Sequence, residues 1–290
     1  MILEFIKVKN LTHIFKTTDD SNGDTKIKEE KALDDINLSI DNGEFIAIIG
    51  VNGSGKSTLA KHFNGLLLPT SGSCFVDGIE VCDNEDIWKV RQKVSMVFQN
   101  PDNQIIATVV EDDVAFGPEN MGLSRDEINE RVEFALKSLH IEHLRKFAPH
   151  LLSGGQKQLT AIAGAIAMRT NCLVLDEPTA MLDPQGRKAV MKALLELHEK
   201  YNMTIIMITH FMEEAVKAER IIVMDKGKII QDGSVLKVFK EKEKLRDIGL
   251  EVPVAVDIAD ELRKKGLNLA EDIFDVESLA DELNRIVNMD

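Results

Sequence analysis

The run Phe45-Ile46-Ala47-Ile48-Ile49 flows straight into Gly50-Val51-Asn52-Gly53-Ser54-Gly55-Lys56-Ser57, and helical sequence follows from Lys56. This feature constrains the fold most. A short, wholly apolar run reads as a strand buried on both faces, which belongs in a parallel sheet flanked by helices. The glycines between strand and helix allow consecutive backbone N–H groups to turn inward toward phosphate oxygens. The helix that begins there turns its positive end to the same anion. Gly50, Asn52, Gly53, Ser54 and Gly55 therefore form a candidate phosphate cradle. Lys56 is placed to reach β- and γ-phosphates, Ser57 to ligate Mg²⁺ through its hydroxyl, and Thr58 to lie near the α/β-phosphates.

A second apolar run, Leu173-Val174-Leu175, ends at Asp176-Glu177. A carboxylate at the end of a buried strand is costly without a cation beside it. Mg²⁺ supplies one, held by Asp176 directly or through water. Glu177 is then the candidate base for the attacking water. Thr204 to Thr209 reads as another buried strand, separated from the Asp176 strand by the helical Gln185 to Lys200, so a βαβ rhythm is expected.

Between the loop and the acidic pair lies Leu152-Ser153-Gly154-Gly155-Gln156. Ser153 is a natural N-cap, and the glycines allow an anion to approach the exposed N–H groups. Ser153, Gly154, Gly155 and Gln156 thus make a second anion-binding helix end. One chain does not need two such ends for one γ-phosphate.

The three motifs in this order resemble an ATP-binding cassette (ABC) ATPase. The resemblance implies a P-loop cassette: a RecA-like mixed sheet core, an antiparallel β subdomain and a helical subdomain at about residues 100–165 that carries the signature motif. It also implies that the second anion site serves the ATP of an opposite subunit, so that two ATPs are sandwiched in a head-to-tail dimer. By resemblance Gln99 joins the core to the helical subdomain and touches Mg²⁺ or the attacking water. Asp183 contacts the dimer partner, and His210 is a switch that contacts the γ-phosphate. Phe15 is the best match to the aromatic that stacks on adenine; it is otherwise a core phenylalanine.

Phe98-Gln99-Asn100-Pro101-Asp102-Asn103-Gln104, the stretch Thr108 to Gly117 and the tail segment Gly249 to Pro253 are further similar to ATPase subunits of energy-coupling factor transporters. Those systems import vitamins or cobalt and nickel ions. The resemblance implies a second ATPase subunit (the same chain or a paralogue), a membrane coupling protein seated on Asn100 to Gln104, and a substrate-binding membrane protein. It places the chain on the cytoplasmic face of the cell membrane as a peripheral subunit. The alternatives are a subunit of another ABC importer or exporter, or a soluble non-transport ABC ATPase. Val51 and Leu159-Thr160 depart from the commonest family pattern, but no catalytic group is missing.

Composition agrees with a partner-held ATPase. The net charge is −14, so the basic face of a general nucleic-acid binder is not expected. No run approaches the roughly 18–20 apolar residues that cross a bilayer. With Glu4 in the apolar stretch and no basic start, Met1–Phe5 is not expected to be a signal peptide. Cys74, Cys82 and Cys172 are scattered, as in a reducing compartment.

Along the chain, residues 1–15 alternate like a strand and Lys16 to Lys31 reads as an exposed polar loop. Cys74 to Val81 is a hairpin turning at Asp77-Gly78, and Ser124 to Phe147 is helical, opened by a Ser124–Glu127 capping box. Ile221 to Met224 and Lys228 to Gln231 form another hairpin. The expected division is an ATPase domain at 1–240 and a small helical dimerisation domain at 241–290, with tail helices at Ala255–Lys265 and Val276–Asn288.

Overall fold

Two long strands open the fold. In the computed structural model, which describes residues 4–19, 26–82 and 85–288, β1 (Glu4–Asp19) and β2 (Lys26–Asp41) pair antiparallel from Glu4↔Asp41 to Asp19↔Lys26. The expected Lys16 to Lys31 loop is therefore corrected. Lys16–Asp19 and Lys26–Lys31 are paired strand ends, with Lys16 Nζ 3.1 Å from Glu29 Oε1; residues 20–25 lie outside those described. Beyond Thr12, β1 pairs with no second strand among the described residues. From Phe15 to Thr18 and Lys28 to Lys31 the ribbon is exposed, and no hydrophobic alternation marks it.

The central strand β3 (Phe45–Gly50) is buried at every residue and leads into α1 (Lys56–Phe63). β4 (Ser71–Val76) and β5 (Ile79–Glu80) make the expected hairpin at Asp77-Gly78. Next come α2 (Ile87–Lys93), β6 (Val94–Val97), α3 (Val110–Asn120), α4 (Arg125–Ser138) and α5 (Gly154–Ala167). α4 stops earlier than expected, and its capping box is half made. The Ser124 hydroxyl accepts from Glu127 N–H, but the Glu127 carboxylate is taken by Arg131 at 2.7 Å.

The chain then alternates: β7 (Cys172–Asp176), α6 (Pro184–Tyr201), β8 (Thr204–Ile208), α7 (Met212–Ala215), β9 (Arg220–Asp225) and β10 (Lys228–Ser234). The tail holds α8 (Val235–Lys240), α9 (Lys242–Asp247), α10 (Val254–Lys264) and α11 (Val276–Val287).

Two sheets result, ordered β2-β1-β4-β5 and β10-β9-β3-β8-β7-β6. The first is antiparallel. In the second, β3, β6, β7, β8 and β9 run parallel and β10 antiparallel, which makes it mixed. Alternate residues of β3 feed two cores. Phe45, Ala47 and Ile49 join the helical side with α5 and α6. Ile46 and Ile48 join α1 and the antiparallel sheet. Burial on both faces explains the unbroken apolar run of β3. The C-terminal ends of β3, β6, β7 and β8 thus lie along one edge, where ligands gather in sheets of this kind.

Candidate nucleotide site

Gly55 starts α1 with φ +100°, and a Cβ there would lie 2.6 Å from the Ala32 carbonyl oxygen. Only glycine fits this bend. Beyond it Lys56 is buried, and its ammonium donates to the carbonyls of Gly50 at 2.8 Å and Val51 at 2.9 Å. Burial lowers its pKa, while Glu177 and Asp176 raise it. The lysine is thereby folded over its own loop and ready to exchange carbonyls for phosphate oxygens. Asn52 and Gly53 are exposed at the loop tip, Ser54 is buried beneath it, and Gly227 N–H donates to the Ser54 carbonyl at 3.0 Å.

In the first turn of the helix, Ser57 donates its hydroxyl to Asp176 Oδ1 at 2.8 Å. Burial holds the Asp176 carboxyl above its ordinary range, with the Glu177 charge adding to the effect and the Ser57 bond opposing it. Two oxygen ligands side by side, one a carboxylate in need of positive charge, suit a hard divalent cation that keeps sites for water and phosphate. The residues therefore fit Mg²⁺. Among the described residues no cluster of three or more His, Cys, Asp or Glu forms another metal site.

Glu177 is where three strand ends converge. Its Oε1 lies 2.5 Å from His210 Nε2, just past β8, and its Oε2 accepts from Gln99 Nε2, just past β6, at 3.1 Å. Its own N–H donates to the Ile208 carbonyl at 3.1 Å. The residues named from sequence as base, switch and linking glutamine are thus neighbours. With its nitrogen on Glu177, Gln99 keeps its amide oxygen as the atom suited to a cation.

The second anion-binding end is built as a complete capping box. The Ser153 hydroxyl accepts from Gln156 N–H at 3.3 Å, and Gln156 Oε1 accepts from Ser153 N–H at 2.9 Å. Asp183 caps α6, accepting from Gly186 N–H at 2.6 Å. The two helix starts touch: a Cβ on Gly155 would lie 2.8 Å from Gly186 Cα, and one on Gly154 would lie 3.2 Å from Leu182. Gly155 thus serves packing against α6, where the sequence suggested only access for an anion. Gly186, a poor helix former in the first turn of a helix, was the signal for that contact.

Phe15 stands apart from the catalytic group. It is 39% exposed on β1, and the buried His13 ring packs edge-on against it at 4.6 Å. His13 in turn meets His62 of α1, with Nδ1 and Nε2 3.2 Å apart. Thr58 enters this chain through its carbonyl, which accepts from His62 Nδ1 at 2.7 Å.

Several contacts could not be read from sequence. Lys157, at the start of α5, pairs with Asp102 at 2.7 Å, and Gln158 Nε2 donates to the Phe98 carbonyl at 3.4 Å. Asp113 accepts from Ile106 and Ala107 N–H at 2.8 and 3.0 Å. These bonds tie α5 and α3 to the segment from Phe98 to Ala107 that contains Gln99. Beside them a cavity of about 350 Å³ is lined by Met96, Gln104, Ile106, Phe116 and Met168 among others. Ile106 and Phe116 are 61% and 47% exposed there.

A family model described as ABC transporter matches residues 33–180. The energy-coupling factor transporter ATP-binding protein EcfA1 of Clostridium novyi (strain NT) is 54% identical over 260 residues, 89% of this chain and 93% of that protein. The chain is an energy-coupling factor ATP-binding subunit of the ABC transporter family. Its cassette fold is that of cbiO1 from Clostridium perfringens, part of the ABC transporter complex cbiONQ, with TM-score 0.72, 39% identity and coverage of 90% and 99% of the two chains. The ATP-binding cassette MJ0796, solved as a dimer in a post-hydrolysis state with ADP and Pi, gives TM-score 0.69 and 31% identity over 79% of this chain and 98% of that one. As an ABC ATPase, this energy-coupling factor subunit binds and hydrolyses ATP. No described helix of it is long and apolar enough to cross a membrane.

Proposed function

We propose that this subunit drives micronutrient import, of cobalt or nickel ions or of vitamins, from the cytoplasmic face of the cell membrane. It does so paired with a second cassette and docked on a membrane coupling protein that carries a substrate-binding membrane protein. The observation that carries the catalytic part is the convergence of Gln99, Glu177 and His210 beside Ser57 and Asp176.

In this reading Gly50 to Gly55, with Asn52 at the tip, surrounds the phosphates. Lys56 holds the β- and γ-phosphates, Thr58 lies near the α/β-phosphates, and Phe15 stacks on adenine. Ser57, Asp176 and Gln99 would hold Mg²⁺, which when bound neutralises charge on the phosphate oxygens. Glu177 takes a proton from the attacking water; the oxygen bonds to the γ-phosphorus, and ADP leaves with the bridging oxygen. His210 orients Glu177 and faces the γ-phosphate.

Ser153 to Gln156 and Asp183 form the face that meets the other cassette's ATP. Their contact through Gly155 and Gly186 supports one shared face, as does the dimer of MJ0796. The exposed Ile106 and Phe116 support the docking of an apolar membrane partner. The bonds of Lys157 and Gln158 give that partner a mechanical path to the Ser153 helix.

Purification of the tagged full-length chain from membranes tests the reading. A co-purifying second cassette and a polytopic coupling protein are expected, and recovery of neither overturns it. In the same preparation E177Q should hydrolyse ATP at least about 100-fold more slowly, in line with loss of a general base. It should also hold its partner cassette more firmly in ATP and Mg²⁺.

A further inference from the structure

Behind Glu177 and His210 lies a carboxylate that hydrolysis does not use. Glu214 of α7 is 3% exposed. Its Oε1 accepts the Thr179 hydroxyl at 2.6 Å, and its Oε2 accepts the Thr209 hydroxyl at 2.6 Å. Both threonines are buried as well. The Arg187 guanidinium flanks them: its Nε is 3.9 Å from Glu214 Oε1, and its charge lies 3.6 Å from the centre of the Phe211 ring.

Each threonine belongs to a different working segment. Thr179 follows Glu177 and begins the turn that runs to Asp183. Thr209 directly precedes His210, and its oxygen also accepts from Phe211 N–H at 3.0 Å. Arg187 rises from α6, which Asp183 caps. A buried carboxylate with so distant a cation is a poor device for stability, since an apolar side chain would avoid its desolvation. Its two oxygens do what an apolar group cannot: they fix hydroxyls from two segments at once.

We propose that Glu214 is a positioning residue that clamps the Thr179–Asp183 turn and the Thr209–Phe211 turn into one rigid unit, setting His210 against Glu177. It acts through Thr179 and Thr209, to which its two carboxylate oxygens are bonded. Because Asp183 stands on the face proposed to meet the second cassette, the same clamp links partner contact to the γ-phosphate side. This rests on the roles given above to Glu177 and His210.

Steady-state hydrolysis by the full-length protein tests it, with T179V, T209V and E214Q set against T179S and T209S. The valine variants and E214Q are expected to lower kcat about tenfold or more with KM for ATP changed less than about twofold, because the phosphate loop is untouched. The serine variants keep the hydroxyl and should return kcat to within about threefold of the parent. Parental kcat in the valine variants overturns the clamp, as does a KM that rises in step with the loss. Serine variants as slow as the valine ones overturn it too. If E214Q does not fold, the two threonine pairs decide alone. E177Q and H210A in the same assay separate the two claims. If these hydrolyse normally, the catalytic assignment fails. If they are inactive while T179V and T209V are not, only the clamp fails.

Discussion

Glu177 sits at φ +52°, in the left-handed region that side-chain-bearing residues avoid. The backbone there costs roughly 1–2 kcal/mol that glycine would not incur. The convergence on Gln99 and His210 holds it in place, and strain of this kind gathers at functional sites. E177G and E177A both lose those side-chain bonds, so their difference isolates the backbone. E177G should unfold about 1 kcal/mol later than E177A in urea, with neither hydrolysing ATP. Equal midpoints would remove the claim of strain. At this scale the sequence was most legible where residues are contiguous, as in Gly50 to Thr58, Ser153 to Gln156 and Asp176-Glu177. The chemistry proposed for them uses residues adjacent in the chain, which the sequence displays together. The clamp was illegible for the opposite reason. Thr179, Thr209 and Glu214 are polar residues scattered along the chain, and in Glu213-Glu214 one of two acids is buried while its neighbour is exposed.

At the scale of elements, apolar strands were legible because burial on both faces leaves no ambiguity. The distal ends of the β1–β2 ribbon were not, because the exposed residues from Phe15 to Thr18 and Lys28 to Lys31 carry no apolar alternation. The anchoring of α1 was also hidden. His62 faces inward with no exposure, donating from Nδ1 to the Thr58 carbonyl, with its Nε2 3.2 Å from His13 Nδ1. Burial lowers its pKa to about 4 from 6.5, opposed by the Thr58 bond and aided by His13. A depressed value means that the folded state prefers neutral imidazole. The stability His62 supplies is present above about pH 6.5 and is lost as pH falls toward about 4, up to about 3 kcal/mol. H62Q cannot titrate and should show a flatter stability profile between those limits in urea unfolding. Parallel profiles for H62Q and the parent would show that His62 is not the group responsible.

At the scale of the whole molecule, the tail is two things. We propose a boundary in function near residue 240, yet the main core continues beyond it. Leu245, Leu250, Val252 and Val256 belong to the core that contains β3 and α5. Val51 of the phosphate loop packs on that same core, and its methyl lies 3.7 Å from where a Cβ on Gly249 would sit. A separate small core begins at Ala255 and joins Ala259, Leu269, Ile273 and Leu279. The link between the two is α10, which gives Val256 to one core and Ala255 to the other. Ion pairs such as Lys217–Asp275 at 2.8 Å are partly exposed and worth about 0–1 kcal/mol. Composition marked where the tail's helices lie, but it could not show that a polar stretch such as Glu241 to Asp247 carries Leu245 into the cassette. Two truncations distinguish these roles. A chain ending at Lys240 removes four core side chains, each worth about 1.5–3 kcal/mol. Against a total of about 5–15 kcal/mol, it should fail to fold and lose ATP binding. A chain ending at Gly266 keeps every buried residue of the main core and loses Phe274 from its edge, so it should melt within about 5 °C of the parent. Its ATP affinity should be intact, and any weakening of self-association would then belong to α11 and the small core. If both truncations melt alike, the tail does not complete the cassette.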